Sequence, residues 1–164
     1  MPPREHALGG KIITDTAYEP APAPRATPIH LWLVGAISLA WNAFGCLDYT
    51  MTETRNAAYL ARMTPEQLAY FNSFPAWAVA LWAIGVWGGL AGSILLLLRH
   101  RWAVPTLAVS LAGAALGLVG QHLLPSRPAS LSGAGMTIFG LVIVAIAAAL
   151  WWYARAMRAR GVLR

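Results

Sequence analysis

Charge is what this chain lacks most. Of its 164 residues only 11% are Asp, Glu, Lys or Arg, while 58% are hydrophobic. A water-soluble domain carries about 25% charged residues, so this composition cannot cover a water-facing surface. Lysine is reduced to Lys11, against eleven arginines among the 12 basic residues. Cysteine is reduced to Cys46, which excludes an intrachain disulfide. No HExxH, CxxC, GxSxG or P-loop pattern occurs, so nothing marks a zinc peptidase, a dithiol redox site, a serine hydrolase or a phosphate-binding loop. No acidic residue sits in the middle of an apolar run, which argues against a pump or exporter built around a buried carboxylate. Residues 1–28 lack the short apolar core of a signal peptide.

What is present is four long apolar runs, at about 29–49, 75–98, 102–124 and 132–153. Each is close to the ~20 residues that cross ~30 Å of hydrocarbon at about 1.5 Å per residue. None carries a charged face, and a chain of this size cannot build a core that hides four such helices. The expected fold is therefore an all-α integral membrane protein, a four-transmembrane-helix bundle spanning 29–154. A Pro-rich tail over 1–28, with Glu19-Pro20-Ala21-Pro22-Ala23-Pro24 at its centre, is expected to be disordered. A basic tail is expected over 155–164.

Proline and tryptophan agree with these limits. Pro75 and Pro105 fall in first turns, where a missing N–H costs little. Trp32, Trp77, Trp102, Trp151 and Trp152 lie near predicted ends, as an interfacial aromatic belt requires. Trp41, Trp82 and Trp87 lie deeper and are expected to pack between helices.

Orientation follows from the basic residues. Arg4, Lys11, Arg25, Arg99, Arg101, Arg155, Arg158, Arg160 and Arg164 fall on one side, and Arg55, Arg62 and Arg127 on the other. Positive residues stay inside, so both termini are expected in the cytoplasm. The Arg-rich, Ala-rich composition suggests a bacterial inner membrane. The net charge of +6 is then orientation signal and attraction to anionic lipid. The lipid bilayer is the expected partner, with a second copy or other membrane proteins as further candidates and no nucleic acid.

The connection over 50–74 is the largest loop between the spans. Thr64-Pro65-Glu66-Gln67 carries a capping box with Pro at the first helical position. One or two short helices on the membrane surface are expected there, either as a lid over a site or as an ordered connector.

Helix association within lipid depends on small residues that let backbones approach. Gly35 and Gly45 in the first span, Gly85 and Gly89 in the second, and Gly113 and Gly117 in the third are the candidate packing positions. Polar residues within the spans are few and costly there. Asn42, Asp48, Gln121 and His122 fall in one half of the membrane and form the one constellation able to carry chemistry. Asp48 can pair with His122 and Asn42 with Gln121, as a small polar pocket or as plain interhelical bonds. His30 and His100, at the opposite boundary, could be paired ligands of a metal or haem. Lone interfacial histidines are common, so no metal and no cofactor is expected.

Two stretches carry a resemblance. Trp41-Asn42-Ala43-Phe44-Gly45 with Asp48-Tyr49 and Thr54-Arg55-Asn56 is one, and Phe74-Pro75-Ala76-Trp77 with Trp87-Gly88-Gly89 is the other. They resemble uncharacterised small four-span bacterial inner-membrane proteins, some of which carry the label "sugar transporter". The resemblance covers roughly residues 30–155 and implies four spans, with no established mechanism. Two functions stay open: an accessory or envelope-associated bundle without catalysis, and a small-solute transporter or channel subunit that uses the polar cluster.

Overall fold

The computed structural model of the chain describes residues 27–124 and 133–164, except the side chain of His122. Among the described residues every regular element is a helix: α1 (Ile29–Glu53), α2 (Ala57–Leu60), α3 (Pro65–Asn72), α4 (Ala76–Leu97), α5 (Ala103–Gly120), a 3-10 turn (Gln121–Leu123) and α6 (Ala134–Ala159). Helices α1, α4, α5 and α6 are long and apolar enough to cross a membrane. The protein is a four-span integral membrane bundle. The tail expected to be disordered lies, up to residue 26, outside the described residues.

Local chemistry sets the ends of the helices. Pro28 and Pro75 stand just before α1 and α4 in extended conformation, and neither has an N–H to leave unpaired. The α3 capping box is complete: Gln67 N donates to Thr64 Oγ1 at 3.3 Å, and Thr64 N donates to Gln67 Oε1 at 3.0 Å. Arg55 after α1 and Arg99 after α4 take positive φ, 53° and 56°, and reverse the chain there. A non-glycine residue in that region costs about 1–2 kcal/mol, and the turns compensate with backbone bonds. Asn56 N reaches Met51 O at 3.0 Å, and His100 N reaches Leu95 O at 2.8 Å.

Packing is sequential: α1 lies on α4, α4 on α5, and α5 on α6. Glycines make the first two contacts close. A Cβ on Gly113 would meet Gly85 N at 2.9 Å and Leu81 O at 3.0 Å, so here α4 and α5 touch backbone to backbone. Gly35 accommodates the Leu97 side chain, and Gly89 accommodates Asn42. Gly45 and Gly85 make looser contacts, against Val86 and Ala114. Gly117 departs from expectation: its nearest neighbour is Leu81 Cβ at 4.0 Å, so it is no point of close approach. Trp87 also departs, with 48% of its surface exposed where an interhelical position was expected.

The two ends of the bundle differ. At the end bearing the chain terminus, Leu31, Leu96, Ala103, Leu107, Ala154 and Met157 form a buried cluster. The 155–164 segment is part of this end rather than a separate tail. Helix α6 runs to Ala159, then Gly161 at φ 71° turns the chain, with Val162 N bonded to Met157 O at 3.0 Å. Val162 and Leu163 enter the buried cluster. Arg164 N bonds Arg99 O, and Arg101 N bonds Arg164 O, both at 2.8 Å, which pins the segment to the α4–α5 turn. We call this the terminal end and the opposite one, with α2 and α3, the loop end.

Candidate functional site

Helices α1 and α6 meet at the terminal end. There the Tyr153 hydroxyl and His30 Nδ1 are 2.5 Å apart with the rings edge-on. The extensive helix contacts are α1 with α4, α4 with α5 and α5 with α6, and α1 with α6 is not among them. Their separation leaves a cleft of about 450 Å³, with α4 and α5 as its floor and α1 and α6 as its walls. Residues of α3 and the α3–α4 turn, Tyr70, Phe71 and Phe74, line it at the loop end. The floor is where Gly85, Gly89, Gly113 and Gly117 contribute no side chains. Of these, Gly85 and Gly113 are also where α4 and α5 approach backbone to backbone.

Most of the lining is apolar or aromatic; the exceptions are Ser110 and the sequence-predicted polar residues. Asn42, Asp48 and Gln121 all line this cleft. The fourth, His122, has its side chain outside the described residues, so its pairing with Asp48 does too.

Asn42 is half-buried in the α1–α4 contact. Its Nδ2 donates to Ser38 O at 2.8 Å and to Ser93 Oγ at 3.2 Å. Ser93 Oγ in turn donates to Gly89 O at 2.8 Å, and Ser110 Oγ on α5 donates to Gly85 O at 2.6 Å. These bonds tie α1, α4 and α5 together at mid-span, where an unpaired polar group would cost several kcal/mol. The expected Asn42–Gln121 bond is not formed. Helix α4 stands between α1 and α5, so the first polar partner Asn42 meets across an interface is on α4.

Asp48 has a partner that sequence reasoning missed. Tyr59 on α2 donates its hydroxyl to Asp48 Oδ1. This bond, reinforced by burial and by the carboxylate charge, pushes the Tyr59 hydroxyl up to about 12. The geometry comes from the α1–α2 turn: Arg55 reverses the chain, and Asn56 caps α2 by accepting from Tyr59 N at 3.0 Å. The signal was present in Asn56-x-x-Tyr59, a cap three residues before a phenol, but only the reversal brings it back to Asp48.

Aromatic rings crowd the same end. Tyr49 stacks edge-on to Trp82 with centroids 5.2 Å apart, and Tyr70 to Phe74 at 5.1 Å. Phe71 lies between, 5.5 Å from Phe74 and 6.4 Å from Trp82. Trp77, expected as an interface anchor, also lines the cleft and lies over Gly120. At the terminal end the cleft stops at Leu107 and Leu150, against the buried cluster. His30 and His100 are engaged separately, His30 by Tyr153 and His100 Nδ1 by Trp102 N at 3.3 Å. Cys46 is buried in α1.

The chain matches no protein-family model, no curated protein and no solved structure.

Proposed function

We propose that this is a bacterial inner-membrane protein, with both termini in the cytoplasm, that binds one amphiphilic molecule in the α1–α6 cleft without chemical turnover. The observation that carries this reading is the parting of α1 and α6 along a cleft of about 450 Å³. That volume falls within the ~300–1,000 Å³ of small-molecule sites. A cleft between two spans can be reached from the bilayer, so an apolar chain would enter laterally without crossing water. Polar groups sit at mid-span and at the loop end, so a head group would lie there and its tail toward Leu107 and Leu150. The buried cluster at the terminal end supports holding a ligand rather than passing a solute through. An accessory protein that binds a lipid-like molecule fits this geometry better than a small-solute transporter.

Native mass spectrometry of the full chain with monododecanoylglycerol tests the reading. One retained molecule per chain is expected, with loss on filling the cleft by Ala147→Trp, since Ala147 lines it. Non-stoichiometric binding that Ala147→Trp leaves intact would overturn it.

A further inference from the structure

Among the described residues that line it, the cleft carries charge of one sign only. Asp48 is a carboxylate among the described lining residues, and none of those residues is Lys, Arg or His. Its described polar partner, Tyr59, supplies a hydrogen bond and no positive charge. The bond fixes one carboxylate oxygen and leaves the charge in place. Arg62 is near enough to act on Tyr59, but it does not line the cleft.

The cleft that Asp48 lines is also rich in aromatic rings. Tyr70, Phe71, Phe74 and Trp82 line the cleft at the same end and touch one another in sequence. The face of an aromatic ring is negative and attracts cations, which is how aromatic cages recognise quaternary ammonium groups. A primary ammonium is strongly hydrated and needs several hydrogen-bond acceptors, whereas an alkylated ammonium presents methyl groups that rings can cover. An anionic head would meet Asp48 with no described lining cation to offset the repulsion.

We infer that the cleft selects an amphiphile with an alkylated ammonium head, held by Asp48 as counter-ion and by the Trp82, Phe71 and Phe74 rings. This rests on the cleft being a binding site for amphiphiles. It adds the head-group class and gives the aromatic residues of α3 and the α3–α4 turn a role in recognition as well as in connection. The tail of the ligand would run over the α5 floor and along the α6 wall.

The test compares three ligands with the same twelve-carbon chain: dodecyltrimethylammonium, monododecanoylglycerol and dodecyl phosphate. Their affinities for the full chain in detergent are measured by native mass spectrometry. The ammonium ligand is expected to bind about tenfold tighter than the neutral one, and the phosphate more weakly than either. Asp48→Asn should bring the ammonium-to-neutral ratio to about one, Asp48→Glu should keep it well above one, and Trp82→Leu should lower it. Equal affinities for ammonium and neutral ligands in the unsubstituted protein would overturn head-group selection while leaving the cleft as a binding site. That comparison stands even if a variant fails to fold. Binding of none of the three would remove the cleft reading itself.

Discussion

The side-chain oxygen of Asn42 occupies the space that a Cβ on Gly89 would need. An asparagine on one span thus lies on a glycine of the next, with Ser93 one turn further along taking its amide hydrogen. The small residue and the polar residue form one device. The glycine admits the amide, and the amide ties the helices in a medium where an interhelical bond contributes about 0.6 kcal/mol.

Gly89→Ala is expected to destabilise the protein by about 1–3 kcal/mol, because Asn42 must leave both of its acceptors. Gly113→Ala should cost at least as much, since its neighbours are the backbone atoms Gly85 N and Leu81 O, which cannot swing aside. Gly117→Ala should be silent, with nothing nearer than 4.0 Å. Thermal melting in detergent compares the three. Equal melting temperatures for Gly89→Ala and Gly117→Ala would remove the Asn42–Gly89 contact from the account.

Tyr59 provides a test in alkaline solution. Its hydroxyl is pushed up to about 12 in the folded protein, against about 10 for a free phenol. A raised native value means the Asp48 bond contributes fully below pH ~10 and is lost as pH rises through about 12. The difference in phenolate absorbance between the unsubstituted protein and Tyr59→Phe should therefore titrate near pH 12. Repeating the measurement in an Asp48→Ala background should move the midpoint back toward ~10. A midpoint that ignores Asp48→Ala would mean that burial, not the carboxylate, holds the proton.

The chain terminus is expected to be structural. Gly161 has φ 71°, so Gly161→Val should cost about 1–2 kcal/mol and unseat Val162 and Leu163. Gly133, with φ −66° and open space around its Cβ position, is the control, and Gly133→Ala should melt unchanged. If Gly161→Val also melts unchanged, the return of the chain onto the α4–α5 turn contributes nothing.

Orientation is testable independently of the cleft. A periplasm-active reporter fused after Arg164 should be silent, and one inserted near Arg62 should be active. The reverse pattern would place the loop end in the cytoplasm despite the nine-to-three distribution of basic residues.

Composition and local signals determined the number and nature of the spans. Apolar runs of this length have one way to satisfy every backbone group in hydrocarbon, which is to become helices. The Thr64–Gln67 capping box was equally legible, because its bonds join residues three apart and need no tertiary partner. Asn42, Asp48 and Gln121 share one half of the membrane in the sequence and line one cleft in the structure, though the Asn42–Gln121 bond did not form.

Those partners, and the cleft itself, were decided by tertiary structure. Lipid is as apolar as the helix faces, so burial does not dictate which span sits beside which, and close packing decides instead. Gly113 and Gly117 share one face of α5, yet only Gly113 lies against backbone. Spacing alone could not separate them, because the difference lies in how α4 passes. The parting of α1 and α6 arises in the same way: α1 follows α4, α6 follows α5, and the terminal cluster and the His30–Tyr153 contact draw the outer pair together at one end. Asp48 found Tyr59 because a positive-φ arginine folded α2 back over the end of α1. Backbone reversals of that kind are long-range in effect and leave little trace in residue spacing.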